Sequence, residues 1–386
     1  MGSNPTSRPR ATFRASVRAT DRTLAGAFEA FPLQQGQPLN ATRSATAACA
    51  VATWLDAFVP RRGLRNADLQ TIVAAFRPRT FHLPPPEDVI VPVDPTSGSR
   101  VLCRCNWQPE DVRTERLTIL LVHGLEGSSE SQYMLGNASR AWAAGWNVIR
   151  MNMRNCGGTE ALSPTLYHSG LSGDVQAVAQ HFVERESLQQ MAWIGYSMGG
   201  NLVLNAAGEF GDNAPAWLTA VAAVSPAIDL AASADALHRL RNRLYERNFL
   251  RNMIARYRRK VELLPARYSL ANLPRVDSIR TYDEYIVAPN CGFTGADDYY
   301  FRCAAARVVQ NIRVPTLILH SLDDPFIRLT PETRQHLLAN PAIRLIETAH
   351  GGHCGFLSVA AGDDGYWAES TIAAFLRCQE SVQSQD

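Results

Sequence analysis

The sequence predicts an α/β fold: a mostly parallel sheet with helices on both faces and a helical cap inserted between the sixth and seventh strands. Three observations predict it. Short apolar runs alternate with amphipathic helical patterns along most of the 386 residues. The pentapeptide GYSMG at 195–199 lies where one such run meets one such helix. The alternation stops once, from about 230 to 312, in an arginine-rich run followed by chain punctuated with Tyr and Pro.

Taken in order, residues 1–45 carry scattered Pro, Gly, Gln and Ser and read as a disordered tail ahead of one domain over 46–386. ATAACAVATWLDAFV at 45–59 is too short for a membrane span, contains Asp56, and reads as a docking helix. DVIVPV (88–93) and RVLCRCNW (100–107) flank PTSGS and predict a β-hairpin. Strands follow at 116–124, 147–154, 191–197, 217–227, 314–322 and 342–350. Helices such as YMLGNASRAWAAG, DVQAVAQHFVERE and NLVLNAAGEFG lie between them, with PETRQHLLAN and YWAESTIAAFLRC completing the pattern.

Hydrophobic content of 46% and charged content of 19% are ordinary for a globular protein. The net charge of +2 argues against a general nucleic-acid binder, yet the charge is unevenly laid out. Residues 1–80 hold 11 arginines against 4 acids, and 238–260 hold 8 arginines plus Lys260, the one lysine, against Glu246. The remainder therefore carries −13. The basic cap segment suits peripheral membrane contact or an anionic substrate, beside the plainer reading of a solvated helix face. Eight cysteines form no paired CxxC spacing and no disulfide framework. With no secretory signal, the expectation is a cytoplasmic protein, and the arginine bias fits a GC-rich bacterial genome. The Arg-rich start, with no acid before Asp21, leaves organelle targeting as the lesser alternative.

GYSMG carries the chemistry. A serine at a sharp strand-to-helix turn projects its hydroxyl, which makes Ser197 the candidate nucleophile. The helix start sets the Met198 backbone N–H beside it, with a dipole that favours developing negative charge. A base and an orienting acid are expected downstream, in the order Ser, Asp, His. LHSLDDPFI (319–327) supplies Asp323 and Asp324 at a strand end, and AHGGHCGFL (349–357) supplies His350 and His353 at the next. The glycine-rich HGLEGSS (123–129) can turn the Leu125 N–H toward a substrate oxygen, with His123 bracing the loop. Tyr167 and His168 suit either a loop staple, the favoured reading, or a wall of the site; Asp297 and Asp298 read as a helix start, and Cys354 as filler. The Gly-Gly between His350 and His353 breaks any helix that would put both on one metal-binding face, and no metal or other cofactor is expected.

These motifs also resemble the YheT-like branch of the α/β-hydrolase superfamily. The resemblance runs from LRNADLQTI (64–72) to the last helix and rests on HGLEGSS, MNMRNCGG, YHSG, GYSMGGN, SIRTYDEYIVAPNCGFTGADDYYFRCAA, LDDPF and GGHCGF. It implies an α/β-hydrolase fold with Ser197 as nucleophile and His353 as base. The spacing usual in such hydrolases puts the acid on Asp324, with Asp323 the fallback. One departure is Arg154-Asn155-Cys156-Gly157-Gly158, where the branch usually reads RGCGG. The expected activity is hydrolysis of short- to medium-chain acyl esters, without a cofactor, through a Ser197–His353–Asp324 triad and an oxyanion hole of the Leu125 and Met198 N–H groups. Acyl transfer to an alcohol on the same triad is the alternative, and a non-catalytic binding protein on this scaffold is the third reading.

Overall fold

The structure, a computed structural model, describes residues 57–359 and 364–383. The expected tail over 1–45 lies outside them, as does most of the expected docking helix at 45–59. Eight strands form one sheet in the order β1-β2-β4-β3-β5-β6-β7-β8. They are β1 (Glu87–Asp94), β2 (Ser99–Asn106), β3 (Thr118–Val122), β4 (Asn147–Met151), β5 (Met191–Tyr196), β6 (Leu218–Val224), β7 (Thr316–Ser321) and β8 (Ile343–Thr348). The hairpin partners β1 and β2 are antiparallel, β2 joins β4 antiparallel, and every later pairing is parallel. All of β3 to β7 is buried, as strands covered on both faces must be, whereas β1 alternates between buried and exposed residues.

The helices are α1 (Ala67–Phe76), α2 (Glu110–Arg113), α3 (Gln132–Ala143), α4 (Ser172–Glu186), α5 (Met198–Phe210), α6 (Leu230–Leu237), α7 (Arg243–Leu263), α8 (Ile279–Tyr282), α9 (Ala288–Cys291), α10 (Ala296–Cys303), α11 (Pro331–Ala339) and α12 (Trp367–Gln383). Alternate strand residues feed two cores. Leu120, Val122 and Trp193 meet Val175, Phe182 and Leu202 of α4 and α5 on one face. Ile119, Leu121 and Ile194 meet Met134 and Ala138 of α3 and Ile372 of α12 on the other. Period-two strands packed by period-3.6 helices produce both layers from one chain.

Helices α6 to α10 all fall between β6 and β7 and form the cap, which has an apolar cluster of its own. On α7, Leu250, Met253, Tyr257 and Lys260 are buried at helical spacing, while Arg247, Arg251 and Arg258 are exposed. The solvated-face reading of this run therefore holds for one side only. Lys260 Nζ donates to Asn155 Oδ1 at 2.7 Å, to the Glu160 carbonyl at 2.8 Å and to the Ser163 carbonyl. Burial pushes its pKa down to about 8. Among the described cysteines Cys378 is disulfide-bonded, whereas Cys103, Cys105, Cys156, Cys291, Cys303 and Cys354 are free. No helix among the described residues is long and apolar enough to cross a membrane.

Candidate active site

Strand β5 delivers the chain to Ser197, which turns at φ 53°, ψ −116° before α5 begins. This backbone region is sparsely populated for a residue with a Cβ, and strain of this kind concentrates at functional sites. The turn is held from outside: Ser197 N–H donates to the Val224 carbonyl at 2.9 Å, and the Ser197 carbonyl accepts from Ala227 N–H at 3.2 Å. Gly199 shows why the last residue of the pentapeptide has no side chain. A Cβ there would lie 2.3 Å from the Val122 carbonyl oxygen and 2.4 Å from that of His123.

Ser197 Oγ lies 3.0 Å from His353 Nε2, and His353 Nδ1 lies 2.8 Å from Asp324 Oδ2. The other Asp324 oxygen accepts from the Phe326 and Ile327 N–H groups at 3.0 and 2.8 Å. Burial alone would raise the pKa of this carboxyl, but the His353 charge and these hydrogen bonds outweigh it and hold it low. For His353 burial works against the charged ring, but Cys354 and the Asp324 carboxylate prevail and raise its pKa. The ring packs on Phe326 with centroids 4.4 Å apart. An array of this geometry can take a proton from a serine hydroxyl and stabilise the resulting imidazolium.

Asp323, one residue away, belongs to a different arrangement. Its carboxylate accepts from Gly352 N–H at 2.9 Å and from Ser321 Oγ, and it pairs with His350 Nδ1 at 3.3 Å. His350 is thus loop packing, and Asp323 holds the 350–352 turn. Packing against α1 fixes a glycine in that turn. Gly352 stands at φ 58°, and a Cβ there would come within 2.3 Å of the Ala67 carbonyl oxygen on α1. Helix α1 also holds the neighbouring peptide, because Thr71 Oγ1 accepts from His353 N–H at 2.9 Å.

Leu125 and Met198 line the same cavity as Ser197, and the first-turn position of Met198 leaves its N–H without an intrahelical acceptor. The loop before Leu125 is braced by His123, whose Nδ1–H donates to the Gly124 carbonyl at 2.8 Å while Nε2 accepts from Met153 N–H at 3.0 Å. Its burial lowers its pKa to about 4, so it stays a neutral brace at neutral pH.

Several contacts lie outside what the motifs singled out. Glu126, next to Leu125, accepts from Tyr167 Oη at 2.5 Å and pairs with Arg256 of α7 at 2.9 Å. The Arg256 guanidinium lies 4.9 Å from the Tyr167 ring centroid, and its Nη1 donates to Cys156 Sγ at 2.8 Å. Tyr167 and His168 both line the cavity, the lesser of the two readings that the sequence left open. Cys354 is not inert filler either, because its Sγ sits 3.6 Å from His353 Nε2. The cavity measures about 800 Å³ with its mouth included, and Leu230, Leu237, Phe249, Met253 and Ile279 of the cap supply much of its wall. Asp297 and Asp298 do open α10, where Asp298 accepts from Thr294 N–H at 3.0 Å.

Comparison with known proteins fits this architecture. The family described as alpha/beta hydrolase fold matches residues 118–358. "Putative esterase YheT" of Escherichia coli (strain K12) is 30% identical over 322 residues, covering 83% of this chain and 92% of that protein. Phospholipase ABHD3 of Mus musculus is 29% identical over 256 residues, 65% of this chain and 60% of its own length. This chain thus spans only about 60% of that longer relative. Among solved structures, 2,6-dihydroxy-pseudo-oxynicotine hydrolase superposes with a TM-score of 0.51 at 15% identity, over 80% of this chain and 71% of that one, and shares the fold. By sequence and by architecture, the chain belongs to the α/β-hydrolase family and is a hydrolase of its YheT-like branch.

Proposed function

We propose that this hydrolase is a serine carboxylesterase acting on short- to medium-chain acyl esters. The observation that carries the reading is the hydrogen-bonded line from Ser197 Oγ through His353 to buried Asp324, opening on an apolar cavity. Ser197 attacks the acyl carbonyl as His353 Nε2 takes its proton. The Leu125 and Met198 N–H groups receive the oxyanion, and Asp324 keeps the imidazole oriented and offsets its charge. His353 then protonates the departing alcohol, and water activated by the same ring releases the acid from the acyl-enzyme. A cavity walled mainly by Leu, Met, Ile and aromatic side chains suits an acyl chain. Phospholipase ABHD3 and the monoacylglycerol lipase of Saccharomyces cerevisiae, 24% identical over 267 residues, place lipid esters among the substrates to try.

The test is covalent labelling by a fluorophosphonate together with turnover of p-nitrophenyl esters. Ser197→Ala should lose the label, and it and His353→Ala should each lose turnover by a factor on the order of 10⁴ or more. Retention of most activity by either variant would sink the assignment.

The same reading extends to a peripheral contact with an anionic lipid surface. Leu69, Ile72 and Phe76 share one exposed face of α1, and Leu240 and Leu244 of the cap are each 80% exposed. The two elements meet where Asp68 accepts from Tyr245 Oη at 3.1 Å. Arg239, Arg241, Arg243, Arg247 and Arg251 are exposed around the cap leucines, a positive rim that complements acidic headgroups.

A further inference from the structure

Asp283 opens a π-helical turn, Asp283–Val287, set between α8 and α9. Such a turn holds an extra residue and re-aims its side chains, and π-turns recur at functional sites. Here Asp283 joins the wall of the cavity that contains Ser197, and it is 5% exposed. Its Oδ2 accepts from Tyr300 Oη at 2.7 Å, while among the described residues no donor reaches Oδ1. Arg280, one turn earlier, is engaged by Asp235 at 3.0 Å and Asp297 at 2.5 Å. The cap's share of the cavity wall is mostly apolar, with Leu230, Leu237, Met253, Ile279 and Val287 beside Ser233 and the tyrosines. An acid in such a wall with one oxygen unused by the protein is placed to bond a polar group that enters the cavity.

We propose that Asp283 is the polar end of a substrate subsite and accepts a hydrogen bond from a hydroxyl that the ester carries away from its reacting carbonyl. The inference rests on Ser197 as the nucleophile of the same cavity and names the substrate class that the cavity takes. A hydroxyl fits better than an ammonium group, because a permanent cation loses far more hydration than an alcohol on entering apolar walls. Burial also pushes the Asp283 pKa up to about 7, and the carboxyl keeps acceptor capacity for an alcohol whether ionised or protonated.

Two matched pairs of esters test it. A medium-chain monoacylglycerol and the propyl ester of the same acid differ in hydroxyls on the alcohol side. The p-nitrophenyl esters of an ω-hydroxy acid and of the plain acid differ on the acyl side. The wild-type protein should favour the hydroxylated member of one pair by about tenfold or more in kcat/KM. Asp283→Leu should bring that ratio close to one, whereas Asp283→Asn, which keeps the hydrogen-bonding capacity, should retain it. Asp283→Ala carries the same expectation should the leucine variant not fold. Calorimetric binding of both pairs to Ser197→Ala protein reads the subsite without turnover. A binding preference with no turnover in the wild type would sink the esterase reading and leave the subsite standing. Absence of any preference in both pairs, or a preference that survives Asp283→Leu or Asp283→Ala, overturns the subsite.

Discussion

Asp323 and Asp324 are neighbours after β7 that serve different histidines. Asp324 is buried, takes two backbone N–H bonds and faces His353, whereas Asp323 pairs with His350 and holds the Gly352 peptide. Substitution should separate them. Asp324→Asn is expected to cut kcat by about 10⁴, as loss of the orienting acid does in comparable triads. Asp323→Asn is expected to keep activity within about tenfold, because it disturbs only the turn. Comparable losses in both would refute the division. A pH profile follows from His353. The ring acts as a base only when neutral and its pKa is raised, so activity is lost as pH falls through that raised value. The acid limb of kcat/KM should therefore lie above 6.5, the ordinary histidine value, and a limb at or below it would count against His353 as the base. The resemblance to the YheT-like branch singled out His353 through the GGHCGF motif and, with the acid spacing usual in α/β-hydrolases, Asp324 within LDDPF. The partner of His350 was not legible there, since a pairing across 27 residues depends on how two loops pack.

Helix α7 shows where reading by composition ran short. Arg256 sits among Arg258 and Arg259 and looks like one more solvated charge. Its inward aim follows from register: Met253, Tyr257 and Lys260 mark the buried face, and Arg256 adjoins it. A helical wheel holds that signal, but only Glu126 and Tyr167, more than 80 residues upstream, give the buried charge its partners. Because Glu126 follows Leu125, this ion pair ties the cap to the loop expected to receive the oxyanion. Arg256→Met should lower kcat by roughly ten- to hundredfold with little change in KM, the result of a misplaced donor rather than a lost binding contact. Arg256→Lys should recover part of the rate. A KM effect alone, with kcat intact, would show that Arg256 serves only the pocket wall.

For the molecule as a whole, the sheet was legible because each strand is a short apolar run and each crossover helix is amphipathic, signals that local sequence carries. The cap was legible as an interruption, but its interior was not. Asp283 reaches the cavity through a π-turn, and the wall that it joins is assembled from α6, α7, α8 and α10. The exposed leucines and arginines of the same insertion lead to a prediction about the surface. The protein should sediment with vesicles containing anionic phosphatidylserine at low salt and be released on the order of 0.5 M salt, where screening is short-ranged. Replacing Leu240 and Leu244 with Asp should abolish sedimentation. Failure to sediment at low salt would remove the membrane reading and leave the esterase reading untouched.

Helix α1 precedes the first strand, yet it buttresses the loop that carries the last member of the array. Besides the Thr71 bond to His353, Gln70 grips the Leu357 peptide from both sides, accepting from its N–H at 2.7 Å and donating to its carbonyl at 3.0 Å. These contacts close the chain over more than 280 residues. On the ribosome α1 emerges first and the histidine loop that it supports emerges some 280 residues later, so the helix waits without this partner while the sheet forms. Activity should therefore wait until the 350–357 loop has emerged and met α1. A protease that cuts between α1 and β1, far from Ser197 in sequence, should silence the enzyme once the helix departs.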